Sequence, residues 1–144
     1  MAVQPIPEGY HTVTPYLTAT DATALLAFIE KAFDAANVQA MRGADGTVQH
    51  AELTIGDSHV MLGQARDAAG ATRAMLYLYV PDCDAAYRKA VAAGGTPLSE
   101  PATQFYGDRH GAVTDCCGNQ WYVATHVEDV PPEEMARRAQ AARG

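Results

Sequence analysis

The chain has 144 residues, of which 48% are hydrophobic, and a formal net charge of −7. This length suits one domain with a hydrophobic core, and the lack of a basic cluster argues against a nucleic-acid partner. Three cysteines without C-x-x-C spacing predict neither a disulfide framework nor a zinc knuckle. No apolar run approaches membrane-spanning length and the first residues do not resemble a signal peptide, so we expect a cytoplasmic protein with no membrane partner.

The first half of the chain reads as a strand, a helix and three further strands. Residues 11–17 are rich in Thr, Val and Tyr, as is typical of a strand. Asp21 can cap the helix that follows, whose apolar stripe ends near Phe33. The next three strands are predicted at 38–42, 48–55 and 59–63.

The second half repeats this order after a small and polar linker at 64–73. It has a strand at 75–80 and a helix that Asp82 can cap and Gly94 and Gly95 end. Three more strands are predicted at 96–99, around 111–114, and at 120–125. We expect a single domain over 1–144, with module 1 at about 10–63, module 2 at about 74–126 and a final helix at about 132–142.

An internal repeat supports this division of the chain. Three residues of the first module recur 61 positions later: Tyr16, Leu17 and Asp21 correspond to Tyr77, Leu78 and Asp82. In both copies a strand ends in an aspartate and a helix follows at once. Two βαβββ modules in tandem predict an α+β fold, in which curved four-stranded sheets form a cleft and the helices cover the outside.

Four short motifs accompany this order. They are Thr-Pro-Tyr-Leu (14–17), His-Ala-Glu-Leu (50–53), Gly-Asp-Arg (107–109) and Trp-Tyr-Val-Ala-Thr-His (121–126). Together they resemble the vicinal oxygen chelate superfamily of glyoxalases, bleomycin-resistance proteins and extradiol dioxygenases, and most closely its PhnB-like branch. The resemblance implies tandem βαβββ modules followed by a C-terminal helix.

Metal-using members of that superfamily carry His or Glu at four cleft positions, on the first and last strand of each module. The resemblance places these positions at Thr14, Met61, Met75 and Tyr122. None of the four supplies the imidazole or carboxylate that a catalytic divalent ion needs. We therefore expect no bound metal and no other cofactor.

The first functional hypothesis is a protein that binds a small organic molecule in its cleft. The predicted ligand-binding residues are Thr14, Tyr16, Met61, Met75, Tyr77 and Tyr122. Tyrosine rings suit flat ligands, and the acidic chain favours a neutral or cationic one. Trp121 alternates with Tyr122 and should therefore lie in the core against a helix.

The second hypothesis is an enzyme. His50 and Glu52 share a face of the third strand and could form an acid–base pair, or could bind a metal together with His59 as non-standard ligands. A solvated or hydrogen-bonded polar face explains the same residues. Cys116 and Cys117 fit either a reactive pair or turn packing. We also expect a homodimer, since the edge strands of such sheets need cover.

Overall fold

Both modules contain a strand, a helix and three strands, in that order. The structure, a computed structural model, describes residues 2–143. Module 1 contains β1 (Tyr16–Ala19), α1 (Ala22–Phe33), β2 (Ala36–Arg42), β3 (Val48–Ile55) and β4 (Ser58–Gln64). A short 3₁₀ helix (Ala68–Gly70) precedes module 2, which contains β5 (Met75–Tyr79), α2 (Cys83–Ala92), β6 (Thr96–Thr103), β7 (Asp108–Thr114) and β8 (Gln120–His126). The chain then forms α3 (Pro132–Arg143).

The strands form two four-stranded sheets of the same topology. Their orders are β1-β4-β3-β2 and β5-β8-β7-β6, so β1 and β5 are equivalent edge strands. The pairs β1–β4 and β5–β8 are parallel, and the other pairs are antiparallel. The predicted α+β class, with its two modules and C-terminal helix, is confirmed.

The residues of the sequence repeat occupy equivalent positions in the strand register of the two sheets. Tyr16 lies opposite Met61 in the first sheet, and Tyr77 lies opposite Tyr122 in the second. Both members of the second pair are 61 positions after their counterparts in the first. The prediction that Tyr16 and Tyr77 occupy equivalent places is therefore confirmed.

The aspartates of the repeat begin the helices. The Asp21 side chain accepts a hydrogen bond of 3.0 Å from the backbone N–H of Ala24, and Asp82 accepts one of 3.1 Å from Ala85. Each bond satisfies an N–H that has no partner inside the helix, which stabilises the first turn by about 1 kcal/mol. The crossover between the parallel strands thus begins in the same way in both modules.

Trp121 joins the two modules into one core. The helices α1 and α2 contact each other, and each also packs on its own sheet. The Trp121 side chain is fully buried, and its ring centroid lies 4.7 Å from that of Phe33 at the end of α1. The predicted core position of Trp121 is confirmed. The same buried cluster includes Leu17, Leu25, Ile29, Leu53, Leu62 and Val113.

Two strand predictions, for β1 and β7, are wrong in where the strand begins, and β6 ends at Thr103 and not at residue 99. β1 begins at Tyr16, so Thr14 lies before the strand and not on it. Pro15 has no N–H to donate to the ladder, which delays regular pairing. β7 begins at Asp108 and not near residue 111, because Asp108, Arg109 and His110 pair with the end of β8. This second difference brings Asp108 and His110 into the sheet.

The helix α3 is held to the body of the protein by one arginine. Arg138 forms a bidentate ion pair with Glu128, with distances of 2.8 and 2.9 Å, and donates to the backbone carbonyl of Phe105. It also contacts Glu134 on its own helix. Within residues 2–143, no helix combines the length and apolar character needed to cross a membrane.

Candidate functional site

The second sheet has one face covered by α2 and one face rich in aromatic rings. Tyr77 and Tyr79 are two residues apart on β5 and therefore point to the same side. Tyr122 on β8 lies opposite Tyr77, and His110 on β7 lies opposite Ala124 of β8. We call these four side chains, Tyr77, Tyr79, His110 and Tyr122, the tyrosine face.

The rings of the tyrosine face contact one another in a defined pattern. Tyr77 and Tyr122 are nearly parallel, with centroids 6.0 Å apart and planes inclined by 13°. His110 stands edge-on to both, at 5.8 Å from Tyr77 and 5.5 Å from Tyr122. Tyr79 meets Tyr77 edge-on at 5.4 Å. The arrangement offers flat apolar surfaces to a ligand together with hydroxyl groups.

A nearly buried carboxylate, Asp108, anchors these hydroxyl groups. Its side chain is 7% exposed. The hydroxyls of Tyr77 and Tyr79 donate to its Oδ2 at 2.8 and 2.9 Å, and the Nδ1 of His126 lies 2.9 Å from its Oδ1. The preceding Gly107 has φ +100°, and a Cβ there would lie 2.2 Å from the carbonyl oxygen of Glu128. The turn that delivers Asp108 therefore requires glycine.

These contacts fix the protonation states of the cluster. Burial alone would raise the pKa of Asp108, but the hydrogen bonds from His126, Tyr77 and Tyr79 outweigh it and leave that pKa below its ordinary value. Burial and the hydrogen bond to Asp108 raise the pKa of Tyr77. The separate hydrogen bond from Tyr79 to Asp108 raises the pKa of Tyr79. Hydrogen bonds to Asp108 and Asp129 raise the pKa of His126. Asp108 is therefore a carboxylate that accepts from two protonated phenols.

The first sheet carries a smaller polar cluster on its own uncovered face. Glu52 accepts a hydrogen bond of 3.0 Å from the Tyr10 hydroxyl, and its other oxygen is 3.4 Å from Nε2 of His50. The Nδ1 of His50 lies 3.2 Å from the Tyr16 hydroxyl. Tyr16 lies over Gly63, where a Cβ would come within 2.4 Å of its hydroxyl oxygen. His50 and Glu52 are thus brought together as the sequence predicted.

The two clusters are related by the internal repeat. His50 pairs with Gly63 in the first sheet, and His110 pairs with Ala124, which is 61 positions after Gly63. The His50 ring lies 5.7 Å from Tyr16, and the His110 ring lies 5.8 Å from Tyr77. Each sheet therefore presents a histidine beside the equivalent tyrosine.

The predicted ligand-binding residues divide between the two sheets. Met75, Tyr77 and Tyr122 share the uncovered face of the second sheet, whereas Tyr16 and Met61 pair on the first. Thr14 lies in the segment before β1, where its hydroxyl is 3.5 Å from the carbonyl oxygen of His11. The structure therefore brings Tyr77 and Tyr122 together and leaves Thr14 outside both sheets.

The four positions that the resemblance assigns to metal ligands do not fit a metal ion here. Thr14, Met61, Met75 and Tyr122 offer hydroxyl and thioether groups in place of imidazole and carboxylate. Between residues 2 and 143, no three or more His, Cys, Asp or Glu side chains are grouped so that they could hold a metal ion. His50, Glu52 and His59 do not form such a group either, and the His59 ring instead stacks on Tyr10 at 4.1 Å.

A groove of about 1320 Å³ runs between the modules along β5. Its lining includes Tyr16, Met75, Tyr77 and Tyr79 from the strands, together with Phe33 of α1 and residues of α2. Tyr122, His110 and Asp108 do not line it. The tyrosine face therefore meets this groove at Tyr77 and Tyr79 and extends beyond it across the sheet.

The adjacent cysteines lie in the turn before β8. Their sulfur atoms are 3.7 Å apart, and the backbone N–H of Cys117 donates to the Asp115 side chain at 2.8 Å. Partial burial of its thiol and the contact with Cys117 raise the pKa of Cys116 to about 12. A thiol that stays protonated is a poor nucleophile, which favours turn packing.

Three functional side chains of the second sheet were not predicted as site residues. They are Asp108, His110 and His126. The Gly-Asp-Arg motif at 107–109 contains Asp108, and alternation from Tyr122 along β8 places His126 on the same face. Both signals were present, but the late start predicted for β7 assigned Asp108 and His110 to a loop.

Comparison with known proteins agrees with this architecture. A family model described as the glyoxalase/bleomycin resistance protein/dioxygenase superfamily matches residues 10–123. The chain belongs to this superfamily. The resemblance found in the sequence motifs is therefore confirmed at the level of the superfamily.

Proteins of mycobacteria are similar to this chain in sequence. An uncharacterized protein of Mycobacterium bovis is 32% identical over 134 residues, which cover 85% of this chain and 88% of that protein. An uncharacterized protein of Mycobacterium tuberculosis strain H37Rv is also 32% identical, with coverage of 85% and 79%.

Solved structures of other proteins show the same fold. TioX from Micromonospora sp. ML1 aligns with a TM-score of 0.70 and 24% identity, covering 81% of this chain and 99% of that one. A glyoxalase/bleomycin resistance protein/dioxygenase from Nocardioides aligns with a TM-score of 0.61 and 18% identity, covering 92% and 90%. At these identities the likeness concerns the fold alone, and the chemistry must be argued from the residues present.

Proposed function

We propose that this superfamily member binds a small, planar organic molecule on the tyrosine face without using a metal. The observation that carries the proposal is the ring pattern around Tyr77, Tyr122 and His110, with two nearly parallel tyrosines and an edge-on imidazole. Aromatic rings favour offset stacking and edge-to-face contacts, which a flat ligand can extend. Met75 lies beside them, and its flexible thioether adapts to ligand shape.

The tyrosine face is exposed in a single chain, so a second surface is needed to enclose a ligand. Tyr79 is 66% exposed, whereas ligand sites typically bury most of the ligand. The first sheet of a second copy would supply that surface, since Tyr16 and Met41 are also exposed on its uncovered side. The free edges of β1 and β5 favour association for the same reason. We therefore propose a homodimer in which the modules of different chains face each other.

A second candidate function is an enzyme that uses Glu52 as a base. The contact between His50 and Glu52 favours it, since an imidazole near a carboxylate is a common acid–base arrangement. Glu52, however, already accepts a hydrogen bond from Tyr10, and the tyrosine face lies on the other sheet. Binding therefore remains the preferred function.

Two finer assignments accompany this proposal. We place the chain in the PhnB-like branch because α3 is acidic at its start, with Glu133 and Glu134, and basic at its end, with Arg143. We place it in the cytoplasm because its composition suits a soluble protein that needs no disulfide.

An untargeted experiment tests the binding function. The wild-type protein and Tyr122→Ala are purified in parallel, and the small molecules released from each are compared by mass spectrometry. We expect a planar compound that accompanies the wild type and is depleted in the variant. A compound retained equally by both proteins, or a metal ion present in stoichiometric amount, would contradict the proposal.

A further inference from the structure

The hydrogen-bond direction at Asp108 determines what the tyrosine face can offer a ligand. A carboxylate only accepts hydrogen bonds, so Tyr77 and Tyr79 must both donate their hydroxyl protons to Oδ2 of Asp108. A phenol has one proton to donate. Each of these two oxygens therefore keeps only lone pairs for a ligand, and its bond to an anion makes it a stronger acceptor.

The charges around Asp108 also favour a ligand that is not negatively charged. Asp108 and Asp129 are both in contact with His126, so even a protonated His126 leaves one negative charge in excess. Arg109 follows Asp108 in the chain but points to the helix side, where it pairs with Asp84 at 3.1 Å. Arg138 of α3 is occupied by Glu128. The nearby arginines therefore do not neutralise this face.

The aromatic rings add a further preference. The face of a tyrosine ring attracts cations, by about 0.5–1 kcal/mol at exposed sites and more where water is excluded. Tyr77, whose hydroxyl donates to Asp108, presents a ring nearly parallel to that of Tyr122. Acceptor oxygens, excess negative charge and ring faces thus coincide on one surface.

We propose that the ligand of the tyrosine face is a planar organic cation with N–H donors, such as a protonated aromatic amine or amidine. This inference rests on the proposed function and adds the charge and hydrogen-bonding character of the ligand. The N–H groups donate to the Tyr77 and Tyr79 oxygens while the ring system stacks on Tyr122. A planar carboxylate of the same size meets an excess negative charge at the acidic cluster and finds no free proton on the Tyr77 and Tyr79 hydroxyls.

The test uses two flat three-ring dyes of opposite charge with the full-length protein. Proflavine is a cation with N–H donors, and anthracene-9-carboxylate is an anion. Fluorescence titration at low salt should show proflavine binding at least about tenfold more tightly, a difference of about 1.4 kcal/mol. Asp108→Asn should remove most of this preference, and Tyr79→Phe should weaken proflavine binding several-fold while leaving the anion unaffected.

Asp84→Asn is the matched control, because it removes the same charge from the helix side of the same module. It should leave the preference intact. An equal loss in Asp84→Asn and Asp108→Asn would overturn the inference by assigning the preference to overall charge. If Asp108→Asn does not fold, Tyr77→Phe and Tyr79→Phe decide the question, since neither changes the charge.

The two proposals fail in different ways. Equal binding of both dyes, weakened for both in Tyr122→Ala, would overturn the cation preference and retain the aromatic site. If neither dye binds at concentrations up to about 1 mM, the binding free energy is weaker than about 4 kcal/mol, and that result would count against both proposals.

Discussion

Trp121 and Tyr122 are neighbours on β8 that serve opposite faces of the same sheet. Trp121 is fully buried beside Phe33, whereas Tyr122 reaches the uncovered face and lies parallel to Tyr77. One residue thus stabilises the join between the modules while the next contributes to the candidate site. This division separates effects on stability from effects on binding.

The first prediction follows from that division. Trp121→Ala should lower the free energy of unfolding by about 3–5 kcal/mol, the usual cost of removing a large core side chain. Tyr122→Ala should cost clearly less, because its side chain is only partly buried. Urea unfolding followed by circular dichroism measures both. An equal loss in the two variants would place Tyr122 in the core and contradict the site assignment.

The second prediction concerns the turn before β8. Asp115 is buried and accepts hydrogen bonds from the backbone N–H groups of Cys117 and Asn119 and from the indole N–H of Trp121 at 2.8 Å. In Asp115→Asn one carboxylate oxygen becomes an NH₂ group, which cannot accept a hydrogen bond from these donors. The free energy of unfolding, measured with urea, should therefore fall by about 1–3 kcal/mol. The exposed Asp57→Asn serves as control and should stay within about 0.5 kcal/mol of the wild type. Equal stability of both variants would show that the turn does not depend on the carboxylate.

The third prediction is a pH window for the ion pair of Asp108 and His126. The pKa of His126 is raised above its ordinary 6.5, so its contribution is present below that value and is lost as the pH rises through the folded-state pKa. The pKa of Asp108 is lowered below its ordinary 3.8, so its contribution is present above that value and is lost as the pH falls through the folded-state pKa. The stability difference between the wild type and His126→Gln should therefore be largest between these values and shrink above them. A stability difference between the two proteins that grows from pH 6 towards pH 9 would contradict this prediction.

Much of the fold was predictable because the repeat and the alternation are local signals. Asp21 and Asp82 begin helices where their spacing predicted, and Trp121 is buried as alternation from Tyr122 required. Strand boundaries were less predictable. Pro15 shortens β1, and pairing with the end of β8 extends β7 to the polar residues 108–110.

The site was predictable only in part, since it depends on contacts between distant strands. Tyr77 and Tyr122 were identified from their strand positions. The convergence of Tyr77, Tyr79 and His126 on Asp108 needs the register of β5, β7 and β8, which no single stretch of sequence contains. In the sequence alone, an aspartate after a glycine is typical of a turn, and only the strand pairing shows that Asp108 belongs to the sheet.

The fourth prediction concerns metals. Zn²⁺ and Ni²⁺ should not raise the melting temperature, since a ligand that binds the native state would stabilise it by mass action. Thermal-shift titration of metal-stripped protein measures this directly. A metal-dependent rise that disappears in Glu52→Gln would instead favour the enzyme that uses His50 and Glu52.

The fifth prediction concerns the homodimer. Light scattering on a sizing column should give twice the chain mass of 15.3 kDa at micromolar concentration. Met41→Glu places a charge on the uncovered face of the first sheet, opposite His50, and should shift the protein towards monomer. Val13→Glu, at an exposed position before β1, is the control and should leave the mass unchanged. A protein that is monomeric at every concentration would contradict the proposal that a second chain encloses the ligand.

The most direct measurement is the affinity of the co-purified compound for the wild type and for Tyr122→Ala. Isothermal titration should show binding at least about tenfold weaker in the variant, as the loss of about 1.4 kcal/mol of aromatic contact implies. Tyr87→Ala, on the helix side of the same module, should bind as the wild type does. Unchanged affinity in a folded Tyr122→Ala protein would contradict the account, because the ligand would then bind somewhere other than the tyrosine face.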